Sequence, residues 1–326
     1  MRRRDTLRRI VLFAAALAFS GAALAQQGFP SRPLRMIIPW PPGQATDLIG
    51  RMLAHKLAEA LGQPVVPDNR AGAAGMIGTD FVAKAAPDGY TLLAASSGPV
   101  SINPLLQKTA YDVDRDLAPV AKVGLSTYVL VAHPSFPAAN AKEFVAQVKA
   151  HPGKYSFATG GAGSTAHLVA EWFNIRAGLQ ATHVPYKGSA PAIADLIGGQ
   201  VTYALESVGA TMPSVRSGRL RAYGITAANP TALTPGLAPL ASSLMLPGFD
   251  IGAWVGVMVP SGTPQPIVDR LAAALEPIMQ SADTRERLAT FGIEVDYRRA
   301  EEFARDLKEQ RERFAEIIKK AGIKLD

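Results

Sequence analysis

Four glycine-bearing loops constrain the fold of this chain more than any other feature. They lie at 41–47, 71–75, 160–167 and 187–190, two in each half of the central sequence. Short apolar runs come before them and apolar residues at helical spacing follow them, so each loop joins a strand to a helix. Repeated β-α-β units predict a parallel sheet with ligand sites beyond the carboxyl ends of its strands. Because two such arrays occur, we predict two sheets that face each other across a cleft.

The first of these loops has the clearest chemistry. Pro41 and Pro42 fix φ and donate no hydrogen bond, so this part of the loop is stiff. The backbone amides of Gly43 to Thr46 then stand ahead of a helix predicted from Ala45 to Leu61, at the positive end of its dipole. Free amides at such a position bind anions. An ordinary strand–helix joint with hydrated amides is the alternative, and the recurrence of the design in both arrays favours the anion site.

The N-terminus predicts export. Basic residues within 2–9, an apolar run from Ile10 and the small residues Ala23-Leu24-Ala25 have the order of a secretory signal peptide over 1–25. The apolar run is short for a permanent anchor, and Arg3-Arg4 leaves both the Sec and the twin-arginine routes open. We therefore expect a soluble protein in the periplasm.

Composition excludes several classes of protein. Removal of 1–25 takes away five Arg and one Asp, which lowers the formal charge from +7 to +3, and no basic run with interleaved aromatics remains for nucleic acid. The chain has no cysteine, and its five histidines show no metal-ligand spacing, so we predict no metal site. Gly161-x-Gly163-x-x-Ala166 follows a strand like a dinucleotide fingerprint, but no acid follows at the required distance. We predict no cofactor.

Catalysis has little support in the sequence. Ser164 lacks both the G-x-S-x-G turn of a nucleophile elbow and an evident base, and no other catalytic set stands out. We expect a binding protein rather than an enzyme, and an exported hydrolase stays the weakest of the alternatives.

Five segments carry a resemblance to a known family. In their order along the chain, they resemble the periplasmic receptors of tripartite tricarboxylate transporters, the Bug or TctC-like family, and the resemblance covers essentially the whole chain after the leader. It implies a type II periplasmic-binding-protein fold and a small carboxylate ligand held by the backbone of the first loop. It also implies delivery to the permease subunits in the membrane and a monomer. The segments are 41–47 (PPGQATD), 69–73 (NRAGA), 85–93 (AAPDGYTLL), 183–188 (HVPYKG) and 260–264 (PSGTP).

Three residues depart from the pattern of the family. Gln44 stands where a second glycine is usual, Ala71 replaces a usual proline, and Glu206 replaces a usual aspartate. Glu206 follows the strand 201–205, and it either faces the cleft, caps the backbone near Ser207 or points to solvent. If it faces the ligand, its charge disfavours citrate and favours a monocarboxylate or an amino- or hydroxy-substituted acid.

The two lobes and the cleft residues follow from these features. We predict lobe 1 over 28–130 with 251–326, and lobe 2 over 131–250. The partner is left open, because one cleft serves a permease receptor and a ligand-dependent co-sensor for a sensor kinase equally well. The predicted ligand-binding residues are Gly43, Gln44, Ala45, Thr46, Asp47, Asn69, Gly72, Ser97, Ser164, Thr165, His167, Tyr186 and Glu206.

Overall fold

A computed structural model describes residues 28–324, so the predicted signal peptide lies outside the described residues. This part of the chain contains eleven strands and, besides short turns, twelve α-helices. The strands are β1 (Leu34–Ile38), β2 (Val65–Asn69), β3 (Thr91–Ser96), β4 (Leu117–Ser126), β5 (Tyr128–Ala132), β6 (Ser156–Thr159), β7 (Thr182–Pro185), β8 (Tyr203–Ser207), β9 (Arg221–Ile225), β10 (Ala253–Pro260) and β11 (Glu294–Arg299).

The helices alternate with these strands over most of the chain. A 3₁₀ turn spans Ala73–Gly75, and a single π-helical turn spans Gly98–Ile102. The α-helices are α1 (Ala45–Leu61), α2 (Met76–Ala83), α3 (Asn103–Leu106), α4 (Val113–Asp116), α5 (Ala141–Lys149), α6 (Thr165–Ala177), α7 (Ser189–Ile197), α8 (Val208–Arg216), α9 (Leu240–Ser243), α10 (Gln265–Gln280), α11 (Ala282–Thr290) and α12 (Ala300–Ala321).

The strands form two sheets with the same internal plan. The first has the order β11-β4-β10-β3-β1-β2, and the second has the order β7-β6-β8-β5-β9. In the first, β1 is parallel to β2 and β3, and β10 inserts antiparallel between β3 and β4. In the second, β6 is parallel to β7 and β8, and β5 inserts antiparallel between β8 and β9. β5 follows directly after β4 of the first sheet, and β10 returns after the strands of the second sheet, so the chain passes between the two sheets. The two sheets confirm the predicted two-lobed α/β fold.

The first crossing between the sheets is short. Thr127 alone separates β4 in the first sheet from β5 in the second. The predicted lobe boundary at 130/131 falls inside β5. One buried apolar run continues across the crossing, so the sequence pattern shows no break at which the boundary could be placed. The chain returns to the first sheet at β10, which starts at Ala253, two residues beyond the predicted start of the returning segment at 251.

The central strands are buried on both faces, which is why they are apolar without alternation. One face of the first sheet packs with α1 and α10 through residues such as Leu57 and Leu271. On the other face, Trp254 of β10 packs against Phe303 of α12. The second sheet is covered in the same way by two clusters of its own. Two such cores hold the carboxyl ends of both sets of parallel strands rigidly.

The last helix belongs to both cores. On α12, Phe303 and Leu307 are buried in a cluster of the first sheet, whereas Phe314 and Ile317 are buried in a cluster of the second. Eleven residues of helix separate the two phenylalanines, a rise of about 16 Å. The sequence predicted the apolar face of this helix but assigned it to lobe 1 alone, and the structure shows that it bridges the two sheets.

None of the helices within 28–324 has the length and apolar character needed to cross a lipid bilayer.

Candidate functional site

A cavity of about 540 Å³ lies between the two sheets. The loops that follow β1 and β3 form one wall, and the loops that follow β6, β7 and β8 form the opposite wall. The segments that cross between the sheets close the back of the cavity, where Ser126, Tyr128 and Ala253 lie. The predicted convergence of the glycine-bearing loops thus produces a real enclosure.

Helix α1 begins at the first wall with unpaired donors. Gln44 is its N-cap in an extended conformation, and the Gln44 side chain does not cap the helix. Within residues 28–324, no hydrogen-bond partner is present for the amides of Ala45 and Thr46, and both residues line the cavity. Two donors at the positive end of a 17-residue helix are therefore available to an anion.

Gly43 and Asp47 differ from the prediction. The Gly43 amide is not free, because it donates to Asp47 Oδ2 at 2.8 Å, and neither residue lines the cavity. Gly43 has φ of +87°, a conformation that glycine adopts without strain. The loop is thus shaped by a bond from its own glycine to the first turn of α1, a partnership within the loop that residue types alone did not indicate.

Asp47 is the centre of a buried support behind this loop. Asp47 is 1% exposed, and its carboxylate also accepts from Asn69 Nδ2 at 2.7 Å and from Arg51 Nε at 2.9 Å. Burial would raise the pKa of Asp47, but the bonds from Asn69 and Gly43 and the charge of Arg51 together hold it below its ordinary value. Asn69 also donates to the Trp40 carbonyl at 2.9 Å, so it fixes the loop from behind and does not line the cavity.

Helix α6 begins at the opposite wall. Ser164 Oγ caps it by accepting from the His167 amide at 3.2 Å, which leaves the hydroxyl hydrogen of Ser164 free to donate. In the described part of the chain, the amides of Thr165 and Ala166 have no hydrogen-bond partner, and both residues line the cavity with Ser164. Two helices from different sheets therefore direct their positive ends into one cavity.

His167 has a structural role that differs from the predicted one. Its Nδ1 accepts from the Gly163 amide at 3.1 Å, and the ring does not line the cavity. The ring stacks on His183 with the centroids 3.8 Å apart, and His183 Nε2 lies 2.7 Å from Thr159 Oγ1. The two imidazoles therefore support the 160–163 loop from the side away from the cavity.

This histidine pair predicts a dependence of stability on pH. Burial, and then the neighbouring His167, lower the pKa of His183 from 6.5 to about 4. Below pH 6.5 His183 binds a proton in the unfolded chain but not in the folded protein. The free energy of unfolding therefore falls as the pH drops from 6.5 towards 4. Between pH 7 and pH 4.5 we expect wild type to lose about 1–2 kcal/mol more unfolding free energy than His183→Gln, as measured by urea denaturation. Any contribution of Glu206 to the pH dependence is present in both proteins, so it cancels in the comparison. Equal losses of unfolding free energy in wild type and His183→Gln would contradict the prediction.

Glu206 lies in the second wall and is 2% exposed. Its Oε1 accepts from the Gly160 amide at 3.1 Å, and its Oε2 accepts from Ser189 Oγ at 2.9 Å and from the Ser207 amide at 3.2 Å. Burial raises the pKa of Glu206, and these three bonds act in the opposite direction. Two of the alternatives left open by the sequence are therefore both realised: Glu206 borders the cavity and caps the Ser207 amide.

A model of the tripartite tricarboxylate transporter family receptor, TctC, matches residues 49–323. The chain belongs to this family. It is 38% identical over 312 residues to Protein BugT of Bordetella pertussis, with 95% of each chain covered. The solved structure of the periplasmic binding protein BugD has a TM-score of 0.73 and 34% identity, covering 91% of this chain and 99% of BugD. MatC from Rhodopseudomonas palustris, solved with bound malate, has a TM-score of 0.72 and 33% identity, covering 89% of this chain and all of MatC.

The remaining predicted residues of this TctC-family chain divide into two groups. Gln44 and Ser97 line the cavity, as predicted for cleft residues. Gly72 and Tyr186 do not line it: Gly72 lies against Ile77, and the Tyr186 hydroxyl donates to Asp195 Oδ2 at 2.7 Å. Residue types alone did not indicate the hydrogen bond between Tyr186 and Asp195, which holds Tyr186 against α7.

Several lining residues of this TctC-family receptor were missed by sequence reasoning. Trp40 is adjacent to the predicted first loop and could have been included with it. The others come from strands and loops whose apolar character is typical of a core, so nothing in the sequence separated them from buried residues. They include Tyr128, Trp254, Phe291 and Ile293.

The charge of the cavity is the last feature of the site. Of the side chains that line it in the described chain, only Glu206 is charged, and there is no lysine or arginine among them. Within residues 28–324 no group of three or more His, Asp or Glu could hold a metal ion. No lining side chain in the described chain therefore adds a positive charge to the positive ends of α1 and α6.

Proposed function

We propose that this protein is a periplasmic receptor that captures a small carboxylate and delivers it to the membrane permease of a tripartite tricarboxylate transporter. One observation carries the proposal: α1 and α6, from different lobes, present unpaired amides to the same cavity. The family of the chain and the signal peptide predicted over 1–25 support the periplasmic location.

The geometry favours carboxylates on physical grounds. Each helix end carries about half a positive charge, and an anion held there accepts hydrogen bonds from amides that have no other partner in the described chain. The Ser164 and Thr165 hydroxyls add donors at the second wall. Trp40, Tyr128 and Phe291 supply apolar surface for the body of the ligand. MatC, a relative of the same fold, holds malate, an acid with two carboxylates.

We assign the lobes by sheet. Lobe 1 carries the first sheet, and lobe 2 carries β5 to β9 with the helices between them. A ligand that contacts both helix ends joins the two walls, so binding favours the closed arrangement of the lobes. A permease that recognises this arrangement would distinguish the loaded receptor from the empty one.

A thermal-shift panel tests the proposal. A small carboxylate at about one hundred times its Kd should add about 2.7 kcal/mol of stability, which raises Tm by about 5–10 °C for a protein of this size. The panel should contain mono-, di- and tricarboxylates, aromatic acids, amino acids, sugars and chloride salts. It should be run after partial unfolding and dialysis, because a retained ligand would hide the shift. Stabilisation by sugars or cations alone, with no response to any carboxylate, would rule out this function.

A further inference from the structure

A third helix begins at the cavity besides α1 and α6. Helix α7 starts at Ser189, has nine residues, and places Gly188 and Ser189 in the cavity wall. Its first turn should offer a positive end in the same way as the other two. Here, however, a carboxylate of the protein already occupies the position, because Ser189 Oγ lies 2.9 Å from Glu206 Oε2.

The surroundings of the Glu206 carboxylate have the composition of an anion site. Two backbone amides, those of Gly160 and Ser207, and one hydroxyl, that of Ser189, donate to its two oxygens from the loop after β6, the end of β8 and the start of α7. A bound carboxylate ligand would need the same set of donors. Glu206 is 2% exposed and is the only charged side chain that lines the cavity in the described chain.

We propose that Glu206 is a specificity-determining residue that fills one of three carboxylate positions of the cleft with its own carboxylate. The proposal rests on the proposed function, since it says which carboxylates the cleft accepts. Two positions remain, at α1 and α6, so mono- and dicarboxylates fit. A third ligand carboxylate finds the α7 position occupied.

Occupation of the position does not depend on the proton of Glu206. In its ionised form the side chain both fills the site and repels a further anion, at a strength that rises in low dielectric. In its protonated form it still occupies the space and still uses the donors of Gly160 and Ser207. The selectivity therefore follows from the presence of the Glu206 carboxylate at this position, where its covalent attachment to β8 keeps it.

Removal of the side chain gives a direct test with formate as the probe. Glu206→Ala empties the position, and formate has the size of the missing group. We expect sodium formate, compared with sodium chloride at equal concentration, to raise the Tm of Glu206→Ala by at least about 2 °C more than that of wild type. Glu294→Ala is the matched control: it removes a carboxylate that is partly buried, accepts from Thr231 and does not line the cavity. Formate should give this control no extra stabilisation.

A second variant tests the selectivity itself. Glu206→Ser also empties the position, and it keeps the test available if Glu206→Ala does not fold. Calorimetric titration with malate and citrate should show the ratio of citrate to malate affinity rising at least tenfold relative to wild type, or about 1.4 kcal/mol. An unchanged ratio overturns the role in specificity, and a formate effect no larger in Glu206→Ala than in Glu294→Ala overturns the occupied site. If wild type binds no carboxylate, the proposed function fails, and the formate measurement still decides whether Glu206 fills an anion site.

Discussion

Replacement of Asp47 by alanine is expected to lower the unfolding free energy by about 2–4 kcal/mol and to weaken carboxylate binding at least about tenfold. Asp47 is buried, and its carboxylate accepts from Gly43, Asn69 and Arg51. Alanine leaves these donors without their acceptor. The loop that positions the amides of Ala45 and Thr46 then loses the bond that sets its shape, so the binding defect follows although Asp47 does not line the cavity.

Urea denaturation and calorimetric titration measure the two effects separately. Asp283→Ala is the matched control, because Asp283 also accepts from an arginine four residues away in a helix but is exposed. We expect that variant to stay within about 1 kcal/mol of wild type and to bind normally. If Asp47→Ala is as stable as Asp283→Ala, the buried bonds do not hold the loop. If it binds like wild type, the loop does not hold the ligand.

Phe314→Ala is expected to cost about 3–5 kcal/mol of unfolding free energy, the usual range for loss of a fully buried phenylalanine. Phe314 is 0% exposed and lies in the core of the second sheet. It belongs to α12, whose N-terminal part is buried in the core of the first sheet. The substitution leaves a cavity where α12 joins the second lobe. Besides lowering the stability, the substitution should therefore weaken the packing of α12 against the second sheet.

Chemical denaturation followed by both circular dichroism and tryptophan fluorescence measures this effect. Arg305→Ala, at an exposed position of the same helix, should change the unfolding free energy by no more than about 0.5 kcal/mol. Trp254 belongs to the core of the first sheet and Trp172 to that of the second, so fluorescence reports both lobes. A loss below 1 kcal/mol in Phe314→Ala would show that α12 does not anchor the second lobe.

The sequence predicted the architecture because each array repeats a simple pattern. Buried strands such as Leu34–Ile38 read as continuous apolar runs, and helices such as Ala45–Leu61 show one apolar face. The glycines between them mark the joints. These signals are local, so the two sheets and the positions of α1 and α6 at the cleft could be inferred without knowledge of tertiary contacts.

The functions of individual cleft residues could not be predicted as well, because they depend on partners distant in the sequence. Asn69 bonds to Asp47, 22 residues away, and Glu206 bonds to Gly160, 46 residues away. His167 looked like a cleft residue because it opens α6, but its ring turns to the loop amide and to His183 instead. A residue type at the right end of a helix therefore predicts proximity to the site better than contact with a ligand.

The anion donors proposed for this cleft are main-chain amides, and this has a consequence for divergence within the family. Every residue except proline carries such an amide, so substitution of the side chains at positions 45, 46, 165 or 166 leaves the donors in place as long as the two helices still begin there. In the proposed function, binding of a carboxylate is thus encoded by the fold, while the fit to the rest of the solute depends on lining side chains such as those of Trp40, Phe291 and Glu206. A gene duplicate of such a receptor could acquire a different acid through a few substitutions without passing through a form that binds no acid at all.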